Sequence, residues 1–185
     1  MVHGGTMEPD RGRILTDAAR RAWIAELIGR PPANTELFLQ ALTHGSASAD
    51  QYERLEFLGD RVLGLVIGEW LYAHYPDEPE GKLSNRLNQI VSGDVCAEIA
   101  RSIGIGQHMV LGKQARDDGA SESTNVLGDM MEALIGALFL DGGLDEARAL
   151  IRRLWSGRVD GIDHAPKHPK SALQEWAAAH KRKPP

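Results

Sequence analysis

The sequence is poor in several features that mark large protein classes. It holds a single cysteine, Cys96, so no disulfide can form within the chain and a reducing compartment is the natural setting. The neighbours of Cys96 (VCAEIA) have helical, half-buried character, so this thiol reads as a core side chain rather than a reactive one. Long apolar runs are absent: the longest, Ala133 to Leu140, falls well short of the roughly 20 residues a membrane helix needs. The opening stretch MVHGGTMEPDRGR has no apolar region of the kind found in secretory signals. A soluble, cytoplasmic protein with no membrane partner is the expectation. There is no internal repeat and no run of alternating strand-like residues. Excess positive charge is missing too, since the formal net charge is −5, which argues mildly against a polyanionic partner.

What is present is apolar content and helical punctuation. Hydrophobic residues make up 42% of 185, enough for one ordinary domain with a real core and a little more. Thr16 or Asp17 caps DAARRAWIAELIGR, which ends at Pro31-Pro32; Asn34 caps TELFLQAL. A long helix is expected from about Gln51 to His74, then KLSNRLNQIVS, then VCAEIARSIG started by Ser92 or Asp94. Ser123 or Thr124 caps NVLGDMMEALIGALFL, which stops at Asp141-Gly142-Gly143, and Asp145 begins EARALIRRLW. The segment SGRVDGIDHAPKHP reads as a linker, followed by one amphipathic helix from Lys170 to His180. The reading is therefore an all-α domain of seven to nine helices plus a fragment that cannot bury its apolar face alone. Charge divides along the same line. From Pro166 onward five bases face one acid, while residues 1 to 165 carry 16 bases and 25 acids.

Two of the apolar helices carry acids in stripes. Glu53, Glu56 and Asp60 stand at i, i+3 and i+7, on one face of the first. Asp129 and Glu132 stand at i and i+3 in the second. A lone D-x-x-E on a helix is usually a solvated edge, but these stripes interrupt helices too apolar to be ordinary surface elements. If the two helices pack together, four or five carboxylates meet in a partly buried place and repel unless protonated or neutralised. Oxygen-only ligation suits Mg²⁺ or Mn²⁺. Three metal–carboxylate readings compete. A di-iron bundle wants Glu-x-x-His motifs, and His44, His74 and His108 are not placed for it. All-α nucleotide pyrophosphatases pair acidic motifs that lie closer together in the chain than Glu56 and Asp129 do. The third is a metal-dependent nuclease, with ions flanking a phosphodiester.

The longer motifs favour the third. ERLEFLGD (Glu53 to Asp60) resembles the signature of the ribonuclease III family. LTHGSAS (Leu42 to Ser48), EGKLSNRLNQIVS (Glu80 to Ser92) and NVLGDMMEALIGALFLDGG (Asn125 to Gly143) resemble, in order, its neighbouring segments. HPKSALQEWAAAHKRKPP (His168 to Pro185) resembles the opening of the double-stranded-RNA-binding domain that follows in bacterial members. Some positions depart from commoner members: Tyr52 stands where asparagine often precedes the signature, Leu87-Asn88 replace an Arg-Ala pair, and Gly128 replaces alanine. None of these is expected to touch the acids.

The resemblance implies a flexible tail over 1–15, an all-α ribonuclease III catalytic domain over 16–156, a linker over 157–167, and over 168–185 the first helix of a truncated α+β double-stranded-RNA-binding domain. It implies a homodimer that cuts both strands of duplex RNA, leaving 5′-phosphate and 3′-hydroxyl ends with short 3′ overhangs, and acts on ribosomal and other precursor RNAs. It places Glu56, Asp129, Glu132 and Asp60 at Mg²⁺ (Mn²⁺ substituting), two ions per site, with Asp60 and Glu132 catalytic. Glu53 and Phe57 fall at the dimer or RNA valley, with Phe57 read either as core or as a dimer contact. Lys113, Arg116, Lys170 and Gln174 are candidate RNA contacts. A non-catalytic duplex-RNA-binding protein on the same scaffold is the alternative. Gly59 and Gly64, costly inside a helix, are expected at close approaches to a helix or to RNA. His44 reads as structural, and Trp23, Trp155 and Trp176 as packing residues.

Overall fold

A computed structural model describes residues 15–159. Eight α-helices and one 3₁₀ turn follow one another: α1 Asp17–Ile28, α2 Thr35–Ala41, α3 Glu53–His74, α4 Glu80–Ile90, α5 Gly93–Ser102, α6 Ile105–His108, α7 Lys113–Asp117, the turn Ala120–Glu122, and α8 Thr124–Val159. No strand occurs among the described residues, only an isolated bridge between Thr43 and Val110. The helix ends have local causes. Thr16, Asn34 and Ser92 each accept a backbone N–H from the first turn of α1, α2 and α5. Gly29 closes α1 at φ 79°, a left-handed conformation that favours glycine. The expected stop at Gly143 is a break within α8, where φ is 82° and ψ −177°. The helix then resumes and runs to Val159, which is fully buried, so the first three residues read as linker belong to the packed domain. The expected fragment over 168–185 lies outside the described residues.

α3 and the first limb of α8 form the centre of the bundle. Leu55, Gly59, Val62, Leu63, Val66, Ile67 and Leu71 make the buried stripe of α3, at the spacing of one helical face. α8 meets it at two glycines. A Cβ on Gly59 would lie 1.8 Å from the carbonyl oxygen of Glu132, and one on Gly136 would lie 2.2 Å from that of Leu55. The two backbones therefore touch directly. Gly128 lies against α5 in the same way, where a Cβ would sit 2.9 Å from the carbonyl oxygen of Gly93. Gly64 has open space around it, so the close approach expected there is absent among the described residues.

Several buried polar groups of the bundle are paired. Asp141, whose side chain is fully buried, accepts from the N–H groups of Ala33 (3.2 Å) and Asn34 (2.5 Å) and pairs with Arg30 at 2.8 Å. Arg30 also binds Glu146. Arg86, nearly inaccessible, pairs with Glu78 at 2.7 Å under the Tyr75 ring. Trp155 is fully buried and donates to the carbonyl of Ile90 at 3.0 Å, which makes it a packing residue.

Forcing a methyl group into the α3–α8 contact should separate the helices. Gly59→Ala is expected to cost about 2–3 kcal/mol, the upper part of the usual overpacking range. Gly157→Ala, at an exposed helical position with nothing within 4 Å, should instead gain up to about 1 kcal/mol from helix propensity. Urea unfolding measures both; equal midpoints for the two variants would contradict the direct backbone contact.

Candidate active site

The glycine contact positions the acids. Gly59 sits on the backbone of Glu132, so Asp60, the next residue of α3, is carried to the neighbourhood of the Glu132 side chain. Glu56 and Asp129 lie one turn away on their respective helices. All four are half-buried, and their charges act on one another. The Glu132 carboxyl is pushed up to about 7, first by burial, then by Asp60, Glu56 and Asp129. Burial, then Asp129, Glu53 and Asp60, raise Glu56. Burial also raises Asp129, opposed by a hydrogen bond from Tyr52. A group whose carboxyls resist ionisation in this way lacks enough positive charge of its own. Arg61 pairs with Asp60 and its guanidinium lies 4.7 Å from the centre of the Phe57 ring.

Two neighbours of the acids were not expected from the sequence. Tyr52, set aside as a departure that leaves the acids untouched, donates its phenol to Asp129 Oδ2 at 3.4 Å. Burial first, then Asp129, Glu56 and Glu53, push that phenol up to about 12. Cys96 is fully buried, as expected of a core thiol, and its Sγ lies 3.9 Å from Glu132 Oε1. Burial, Glu132 and Asp60 hold the thiol far above its ordinary range, which makes it unreactive. An aromatic residue at a helix N-cap was the available clue for Tyr52; nothing in the sequence marked Cys96.

The donor set suits a hard divalent cation: carboxylate oxygens from two helices, under-neutralised and partly withdrawn from water. Among the described residues, no three His, Cys, Asp or Glu side chains are drawn close enough to share one ion. The acids thus share a field rather than a formed grip, as mutual repulsion of bare carboxylates requires.

The other candidates fall elsewhere. Glu53 is exposed and, with Phe57, lines an adjoining groove. Lys113 and Arg116 are exposed on α7, where the Arg116 guanidinium donates to the carbonyl of Leu111 at 2.9 Å. Lys170, Gln174 and Trp176 lie outside the described residues. His44 Nδ1 is 2.8 Å from Ser46 Oγ, and His108 stacks on half-buried Trp23 at 4.2 Å.

The ribonuclease-III-like family model matches residues 34–157, a span that contains all four acids. This chain belongs to the ribonuclease III family of endoribonucleases. Ribonuclease 3 of Zymomonas mobilis is 58% identical over 175 residues, covering 95% of this chain and 71% of that protein. Ribonuclease 3 of Rhodopseudomonas palustris is 41% identical over 174 residues, covering 91% of this chain and 64% of that protein. The solved nuclease domain of ribonuclease III from Campylobacter jejuni superposes with a TM-score of 0.71 at 33% identity, over 74% of this chain and 96% of that one. That domain is described as having a flexible region involved in dimer formation. The all-α fold expected for the family is the fold observed.

The raised Glu132 carboxyl fixes the sign of a pH effect in chelated protein. Unfolded, Glu132 ionises near its ordinary 4.5; folded, near 7. Between those values the folded state holds the extra proton, so stability falls as pH rises through the window and is flat above it. With partial exposure discounted, the loss is on the order of 1 kcal/mol. Glu132→Gln should flatten much of this limb and be the more stable form above pH 7. Urea midpoints at pH 5 and pH 8 measure it, and an unchanged slope would mean that Glu132 is not the titrating group.

Proposed function

We propose that this chain hydrolyses both strands of double-stranded RNA as a divalent-cation-dependent homodimer, leaving 5′-phosphate and 3′-hydroxyl ends with short 3′ overhangs. The observation that carries the reading is the meeting of Glu56, Asp129 and Glu132, each pushed up by burial, with Asp60 beside them, between two helices in backbone contact. Glu56, Asp129, Glu132 and Asp60 would hold Mg²⁺, with Mn²⁺ able to substitute and two ions per site. When bound, such ions make water more acidic and stabilise the leaving oxygen. Asp60 and Glu132 orient the attacking water, and Glu132 takes its proton on a carboxylate oxygen. Duplex RNA is recognised mostly by shape, through 2′-hydroxyls and phosphates along its wide minor groove, with Lys113, Arg116, Lys170 and Gln174 as candidate contacts. The substrates would be ribosomal and other structured precursor RNAs in the cytoplasm.

The dimer reading has its own support. Phe57 is 64% exposed, and Leu65 and Tyr72 continue the exposed apolar face along α3. Beside Phe57 lies a groove of about 630 Å³ lined by Leu37, Gln40, Arg54, Leu55, Leu58 and Leu140, among others. Knob and socket therefore occupy one patch, which a two-fold axis makes self-complementary.

Two measurements test these readings. Glu132→Gln should fold, dimerise and bind duplex RNA, yet cut it about 10²–10⁴-fold more slowly in a gel assay with Mg²⁺; near-wild-type cutting at millimolar Mg²⁺ would remove Glu132 from the chemistry. Light scattering should find a dimer at micromolar concentration and a Phe57→Ala variant shifted toward monomer, with association weakened by at least about 2 kcal/mol, as expected for an aromatic anchor. A wild-type monomer at tens of micromolar would refute the assembly.

A further inference from the structure

The geometry points to Tyr52 as a positioning residue for Asp129: its phenol holds one carboxylate oxygen of that acid and so sets how tightly the cluster grips a divalent cation. The inference rests on the reading of the acids as a cation site.

Tyr52 occupies the N-cap of α3 yet makes no side-chain capping bond. That position ordinarily takes Ser, Thr, Asp or Asn, whose side chain satisfies a free N–H of the first turn. Here the helix gives up its cap and the side chain turns inward, 8% exposed, to reach Asp129 Oδ2 on α8 at 3.4 Å. A local rule broken at the edge of a charged cluster is where function is expected to override propensity. The backbone of Tyr52 serves the same cluster: its carbonyl accepts the N–H groups of Leu55 and Glu56, each at 2.9 Å, and its N–H donates to the carbonyl of Thr43 at 3.2 Å. One residue thus ties the main chain at Glu56 to the side chain of Asp129. The ring is backed by that of His44, with centroids 6.1 Å apart, and His44 is itself fixed by Ser46. A free phenol ionises near pH 10, so at neutral pH Tyr52 is a donor. It occupies Oδ2 and leaves the other carboxylate oxygen available to a cation. The contact is long for an O–H···O bond, as such bonds often are before a site is engaged.

Hydrogen bonds from behind a ligating carboxylate typically govern metal affinity by 10–100-fold. Tyr52→Phe keeps the packed ring and deletes only the hydroxyl. Mn²⁺ binding to RNA-free protein, followed by the electron paramagnetic resonance of free Mn²⁺, should be weakened about tenfold or more by Tyr52→Phe and more severely by Asp129→Asn. The urea midpoint of the tyrosine variant should stay near wild type. The Mg²⁺ concentration for half-maximal cleavage should rise by the same factor as the Mn²⁺ dissociation constant, with the rate largely restored at saturating Mg²⁺. In unmutated protein, where Tyr52 is one of three tyrosines, its ring resonances should move on adding Mg²⁺; this readout needs no variant to fold. Unchanged Mn²⁺ affinity in Tyr52→Phe beside weakened affinity in Asp129→Asn would overturn the role of Tyr52 and leave the cation site standing. Unchanged affinity in both would overturn the cation site and this inference with it. A ring signal indifferent to Mg²⁺ would also count against the contact.

Discussion

The backbone contact between α3 and α8 is the constraint on which the rest depends. Gly59 rests on the carbonyl of Glu132 and Gly136 on that of Leu55, so two helices meet with no side chain between them. Glycine inside a helix costs roughly 1 kcal/mol relative to alanine, and here that cost secures position. Asp60 follows Gly59 directly and Glu132 supplies the carbonyl that Gly59 rests on, so the contact fixes the backbones from which these two acids project. A site carried on packed helices is held more accurately than one on loops, and this contact is what makes the carriers rigid with respect to each other.

The contact also explains why the acids are uncomfortable while other buried charges are not. The Asp141 side chain is withdrawn from solvent and burial pushes its carboxyl up, yet it is held below the usual range because the N–H groups of Asn34 and Ala33 and the Arg30 guanidinium serve it. Asp129 and Glu132 lie on the same helix and are pushed the other way. The difference is in partners rather than depth. Arg86 with Glu78 and Arg30 with Asp141 show the fold supplying counter-charges where structure alone is at stake. At the cluster the supply is short, which leaves demand for an external cation.

Local features were legible in the sequence. Thr16, Asn34 and Ser92 cap where small polar residues before apolar runs said they would, and Gly143 breaks α8 where the Asp-Gly-Gly triplet predicted a stop. The i, i+3 spacing of Asp129 and Glu132 was visible as a stripe. Features set by how two distant helices cross were not. The sequence offered helix or RNA contact for both Gly59 and Gly64, and only the fold separates them, since Gly59 touches backbone and Gly64 faces open space. The Tyr52 contact was missed because it spans 77 residues and no periodicity encodes a meeting at that separation. Apolar content on α3 suggested burial or an interface, but the exposure of Phe57, Leu65 and Tyr72 depends on which face the crossing leaves uncovered.

Because Gly59 and Glu132 are separated by roughly seventy residues, the two halves of the cluster come into being at different times. At about 5–20 residues per second of synthesis, α3 emerges from the ribosome several seconds before α8 follows it. Throughout that interval the acids of α3 have no counterparts and the surface around Gly59 has no helix to receive. A nascent chain of this sequence therefore carries half of the candidate site while surrounded by the ribosome's own RNA, and that site is completed only when α8 docks.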